Sequence, residues 1–123
     1  MKLVFVFLLT LFCTISYSQT INIPDQNFER VLVEEGIDSD KTVNGRVLRI
    51  DVQSVTFLDL FNKKIKSLKG IEEFTSLTYL DCRNNYLSSL DLSKNISLST
   101  LYSDVNNSIK TSSNDLAFNW FDQ

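Results

Sequence analysis

No histidine occurs in this 123-residue chain. Ser–His–Asp and Cys–His nucleophile systems therefore cannot be assembled from it, and neither can ordinary His-ligated zinc sites. Glycine is scarce as well. Its three residues stand apart at positions 36, 45 and 70, so no glycine-rich loop is available to cradle a phosphate. Of the two cysteines, Cys13 and Cys82, the first lies in a segment expected to be removed. No disulfide framework can then staple the fold, and stability has to come from burial. Basic side chains are outnumbered, 12 against 15 acidic, which disfavours nucleic acid as a partner. Long apolar runs are missing too. The run from Leu3 to Phe12 falls short of the about 20 residues needed to cross a ~30 Å hydrocarbon core, so no stable membrane anchor is expected.

What that run does fit is a secretory signal peptide over residues 1–18. Lys2 supplies the positive n-region, Leu3 to Phe12 the apolar core, and Ser16-Tyr17-Ser18 the small residues that a signal peptidase inspects. Cleavage would leave a mature chain beginning at Gln19, secreted or held at the cell surface. Losing Lys2 brings the net charge to about −4. Cys13 follows Leu11-Phe12, but the bulky Phe12 is the wrong size for lipoprotein processing.

Internal repetition decides the fold class. Set in register, the apolar residues run Val55, Leu58, Leu60, Ile65, Leu68, Ile71, Phe74, then Leu77, Leu80, Cys82, Asn85, Leu87, Leu90, Leu92, Asn95, then Leu98, Leu101, Ser103, Asn106. Leu58 to Leu80 is 22 residues and Leu80 to Leu101 is 21, within the roughly 20–29 of a leucine-rich repeat. Leu77 to Leu87 fits L-x-x-L-x-L-x-x-N-x-L, with Cys82 at one apolar place. Leu80 and Cys82 alternate with outward residues as a short half-buried strand requires. Asn85 stands where the chain must leave that strand, and its amide can serve backbone groups that the turn would orphan. Lys63 takes the matching place in the first unit, so that turn is expected to be looser. Leu68, Ile71, Phe74 and Leu77, spaced by three, predict a helical or 3₁₀ return.

Residues 19–54 do not repeat. Asp25 as N-cap, Phe28, Val31 and Leu32 on one face, and Gly36 as a stop predict a short amphipathic helix. Val47 to Val52 alternates like a strand able to pair with the first repeat strand. Helix and strand together are expected to cap a solenoid whose end would otherwise expose its interior and an unpaired edge. The resulting fold class is an α/β solenoid: an N-terminal helical cap (19–54), about two and a half leucine-rich repeats forming a short horseshoe segment (55–107), and an irregular tail (108–123). Ser103 and the late Ile109 mark the third unit as imperfect. The tail's apolar cluster around Trp120 and Phe121 could cover the last strand.

Ile23-Pro24-Asp25-Gln26-Asn27-Phe28, Gly70-Ile71-Glu72 to Leu77, and Leu80-Asp81-Cys82-Arg83-Asn84-Asn85 together resemble secreted bacterial internalin-like leucine-rich-repeat proteins. The resemblance covers about residues 20–107. It implies a curved solenoid whose concave strand face recognises other proteins.

Two acidic constellations could argue for other chemistry. Asp59 and Asp81 hold equivalent strand positions, which should set them ~5 Å apart, the separation of a retaining glycosidase pair. Two solvated carboxylates on a repeat ladder explain them better, because so small a fold offers no deep cleft. The loop Asp38 to Gly45 begins like a calcium loop. It has Val43 where an EF-hand wants glycine and Arg49 where it wants a bidentate glutamate, and an Asn44-Gly45 turn accounts for the same residues.

No catalysis and no cofactor are expected. The favoured function is a protein-recognition module using Phe57, Asp59 and Phe61, then Tyr79, Asp81 and Arg83, then Thr100, Tyr102 and Asp104, the outward positions of three stacked strands. Its protein ligand would meet exposed tyrosine and arginine, side chains that often anchor interfaces. The alternatives are a small calcium- or glycan-binding secreted factor, or the truncated N-terminal fragment of a longer adhesin.

Overall fold

The computed structural model describes residues 19–103, Asn106 and the backbone of residues 110–111. The expected signal peptide, Asp104, Ile109 and the cluster around Trp120 and Phe121 lie outside the described residues.

Strand β1 (Thr20–Asn22) leads into helix α1 (Gln26–Glu34). Asp25 starts the helix as its spacing predicts, its carboxylate accepting the N–H groups of Asn27 and Phe28 at 2.9 and 3.1 Å. Phe28, Val31 and Leu32 are buried. Gly36, with φ 71°, turns the chain out of the helix, and the following N–H groups of Ile37 and Asp38 both return to the Leu32 carbonyl. Glu29, on the same helix, is fully buried. Its carboxylate accepts the main-chain N–H groups of Asn44, Gly45 and Arg46 at 2.9, 2.7 and 3.3 Å, so three fixed dipoles replace the water it has lost.

The expected strand from Val47 to Val52 does not form. Only β2 (Arg46–Leu48) is extended, and it pairs antiparallel with β1, not with the first repeat strand. Arg49–Val52 is a single helical turn, α2. The physical reason lies in which residues are buried. Val47 and Val52 both point into the core while Ile50 is 64% exposed. A continuous strand would have put 48, 50 and 52 on one face, and burying two valines five residues apart needs a turn between them.

From Phe57 the chain is repetitive. Strands β3 (Phe57–Asp59), β4 (Tyr79–Asp81) and β6 (Thr100–Tyr102) form one parallel sheet in that order. The register aligns Leu58, Leu80 and Leu101, as the repeat spacing predicts. The return path contains a 3₁₀ turn at Ile71–Glu73, and Leu68, Ile71, Phe74 and Leu77 are all buried on it. A second parallel pair joins β5 (Ser89–Leu90) to β7 (Lys110–Thr111), with Ser89 opposite Lys110. That offset of 21 continues the repeat period past residue 107. The irregular tail expected from 108 therefore gives way to a strand at 110–111. The structure is a leucine-rich-repeat solenoid with small sheets and little helix.

Asparagines link successive repeats. The Asn85 amide donates to the carbonyls of Leu60, Cys82 and Arg83 at 2.7, 3.0 and 3.1 Å and accepts from the N–H groups of Lys63 and Ile65 at 3.1 and 3.0 Å. Asn106 does the same one unit on, donating to Cys82 and Ser103 and accepting from Leu87. Lys63 itself supplies no such amide, but its turn is held from both sides. Asn85 binds it from the next repeat. Asp25 accepts from the N–H groups of Lys66 and Ser67, and Asn27 donates to the Lys64 carbonyl, from the N-terminal unit. The expected looseness thus has no counterpart in missing hydrogen bonds. Phe28 and Phe74, with ring centroids 6.0 Å apart, and the Arg49–Glu73 ion pair at 3.0 Å complete the junction.

Candidate functional site

Alternation along β3, β4 and β6 turns Leu58 and Leu80 into the core and aligns the intervening side chains on the other face. The register places Phe57, Tyr79 and Thr100 in one row and Asp59, Asp81 and Tyr102 in the next. Phe61 and Arg83 follow, each two residues further along. All the outward residues read from the sequence are thus brought onto one surface, except Asp104, which is not described.

The row contacts are specific. Phe57, 59% exposed, stacks on Tyr79 with centroids 4.4 Å apart and planes 13° apart. Tyr79 meets Tyr102 at 5.9 Å in a tilted arrangement. The Arg83 guanidinium carbon lies 4.8 Å from the Tyr102 centroid and 5.5 Å from that of Phe61. Cation–π attraction therefore joins the aromatic rings to the arginine, giving a ledge that runs Phe57, Tyr79, Tyr102, Arg83, Phe61. Burial, and then the neighbouring Asp81 carboxylate, push the Tyr79 phenol upward, so it stays protonated and can donate.

Asp59 and Asp81 differ sharply. Asp59 is exposed and accepts the Phe61 N–H at 2.9 Å. Asp81 is only 3% exposed. Its two oxygens take Nε and Nη2 of Arg83 at 3.0 and 2.6 Å, and it also accepts the Arg83 N–H at 3.1 Å. The expectation of two solvated carboxylates fails at Asp81. A carboxylate committed to a bidentate guanidinium is a positioning group, not half of an acid–base pair. The available signal was the Asp-x-Arg spacing on one strand face, which puts both side chains on the same side.

The acidic loop is tied largely by its own hydrogen bonds, but the buried Asp38 Oδ2 has no partner. Asp40 accepts the Thr42 N–H and the Asn44 side-chain amide, both at 2.7 Å, and these bonds hold its carboxyl below the usual range. Asp38 is buried and accepts the Asp40 N–H at 3.2 Å. Among the described residues no group of three or more His, Cys, Asp or Glu could hold a metal ion. Cys82 is buried.

No family model and no curated protein matches the chain. Solved structures do. The functional domain of InlJ from Listeria monocytogenes, which includes a cysteine ladder, is 25% identical with a TM-score of 0.57 over 80% of this chain and 26% of that one. The internalin InlF from Listeria monocytogenes is 26% identical with a TM-score of 0.61, covering 74% of this chain and 26% of the other. A structure containing the CBM51-2 domain in complex with GlcNAc and the INT domains of ZmpB from Clostridium perfringens is 31% identical over 68% of this chain and 17% of that one, with a TM-score of 0.56. The chain thus spans about a quarter of the length of the two Listeria structures. Matching repeat spacing, parallel register and structural likeness converge on a leucine-rich-repeat fold similar to that of internalins.

Proposed function

We propose that this chain is an exported, non-enzymatic recognition module that binds a protein partner through the outward face of β3, β4 and β6. One observation carries the reading: the ledge of Phe57, Tyr79, Tyr102, Arg83 and Phe61 is preassembled, with Phe57 59% and Phe61 48% exposed. Rings and guanidinium already held in place lose little conformational freedom on binding, and aromatic and arginine side chains dominate interface energetics. Asp59, Thr100 and Asp104 would form the rim, and Asp81 would act through Arg83.

In this reading residues 1–18 are a cleaved signal peptide, residues 19–54 close the solenoid's first end, and the protein works outside the cytoplasm. The similarity to internalins supports it.

The test is affinity measurement by surface plasmon resonance on a partner captured with the wild-type protein. Tyr79→Ala, Arg83→Ala and Tyr102→Ala should each weaken binding by about tenfold or more. Lys66→Ala and Lys94→Ala, away from this face, should leave it unchanged. The opposite pattern would move the site off the sheet.

A further inference from the structure

We propose that the outer edge of β3 is a second recognition site, receiving an extended basic peptide as an added strand. It adjoins the outward sheet face, sharing Phe57 and Asp59 with it, but it rests on the strand's main-chain edge and does not depend on that face's role.

The hydrogen-bond pattern fixes what this edge offers. Thr56 accepts the Tyr79 N–H at 3.0 Å through its carbonyl, and the Leu60 N–H donates to Asp81 at 2.7 Å. Even-numbered main-chain groups of this segment therefore face β4. The strand's period of two turns the N–H and C=O of Phe57 and Asp59 the other way. Among the described residues β3 pairs with β4 alone, so those groups have no strand to meet. The segment expected to cover them, Val47 to Val52, pairs instead with β1 and then coils into α2.

Exposed edges are ordinarily blunted by lysine, proline, a bulge or a covering element. Ser54-Val55-Thr56-Phe57-Leu58-Asp59 contains neither lysine nor proline. Beside it runs a groove of ≈ 370 Å³ between the end of α1 and β3, lined by Glu35, Ile37, Ser54, Val55, Thr56, Phe57, Leu58 and Asp59. Ile37 and Val55 supply apolar surface. Glu35 and Asp59 supply two carboxylates, and no lining residue is cationic. Unpaired main-chain groups select an extended backbone, and the carboxylates select lysine or arginine on it.

The probe is a fluorescein-labelled Val-Lys-Val-Lys-Val peptide, compared with a version N-methylated at alternate residues, which keeps the side chains and loses the edge hydrogen bonds. Fluorescence anisotropy should show saturable binding, about tenfold weaker or worse for the N-methylated peptide and for the Glu35→Lys protein. Glu35 is exposed at the end of α1, where lysine suits the helix terminus, so that variant should fold. In NMR hydrogen exchange, saturating peptide should slow the Phe57 and Asp59 amides by about tenfold or more. No saturable binding, equal affinity for the N-methylated peptide, unchanged exchange at these two amides, or chemical-shift changes centred on Tyr102 and Arg83 would each overturn the proposal.

Discussion

Asp81 and Arg83, two residues apart on one face of the same strand, hold each other in a bidentate ion pair whose shortest contact is 2.6 Å. The carboxylate is almost wholly buried, while the Arg83 side chain keeps 38% of its surface. Arg83→Ala would leave that carboxylate without its main partner. We expect a loss of about 1–2 kcal/mol in urea unfolding, moderated by solvent at the exposed guanidinium. Asp81→Asn should cost less. A double-mutant cycle showing coupling below about 0.3 kcal/mol would mean that the pair does not hold the ledge together.

Asn85 should be the most sensitive polar residue of the repeats. Its five hydrogen bonds serve the main chain on two successive turns. Replacement by alanine would strip partners from several buried groups at once and should cost about 3 kcal/mol or more. Asn95→Ala removes only the donations to Ile71 and Phe74 and should cost about half as much. Thermal unfolding of the two variants gives the ranking.

Gly70 and Gly36 both have positive φ but sit in different surroundings. A Cβ at Gly70, where φ is 104°, would press into the Ile23 side chain and come within 2.8 Å of the Asn22 carbonyl oxygen. Gly36 has nothing within 4 Å of that position. Gly70→Ala should therefore cost about 2 kcal/mol or more, and Gly36→Ala about 1 kcal/mol, the backbone penalty alone. Equal costs would show that the approach of β1 to the first repeat is not tight.

Asp38 gives the protein a pH dependence of defined sign. Burial pushes its carboxyl up to about 6, from an ordinary value of 3.8. The folded state therefore prefers the protonated form. The stability this provides is complete below the ordinary value and is lost as pH rises through about 6. Asp38→Asn keeps an acceptor for the Asp40 N–H and cannot ionise. It should raise the melting temperature at pH 7.5 and make little difference at pH 3.5. A gain of the same size at both pH values would rule out ionisation as its cause.

Processing can be read directly from mass. Export should remove residues 1–18, and the recovered protein should begin at Gln19. A retained Met1, or a lipid on Cys13, would contradict the signal-peptide reading.

The repeat register was readable because leucines at fixed offsets report burial directly: Leu58, Leu80 and Leu101 align as their spacing requires. Helix α1 was readable for a related reason, its cap, face and stop all being local. What escaped depended on partners distant in sequence. Val47 to Val52 alternates well enough for a strand, but alternation does not say which strand lies beside it. Glu29 looks like any helix-surface acid until Asn44 to Arg46 folds over it. Asp81 matches Asp59 in the pattern and differs only because Arg83, Tyr79 and Tyr102 crowd around it. The outward residues were identifiable by parity alone, whereas their mutual stacking depended on inter-strand distances.

The asparagine contacts also impose an order of assembly. Asn85 reaches back 25 residues to the Leu60 carbonyl, Asn95 reaches back 24 to Ile71, and Asn106 reaches back 24 to Cys82. Each unit thus receives some of its last hydrogen bonds from the unit after it. A chain emerging N-terminus first from a ribosome or a secretion pore cannot complete one coil until roughly another has followed. Folding trails emergence by about one repeat, and the newest coil always waits for its successor.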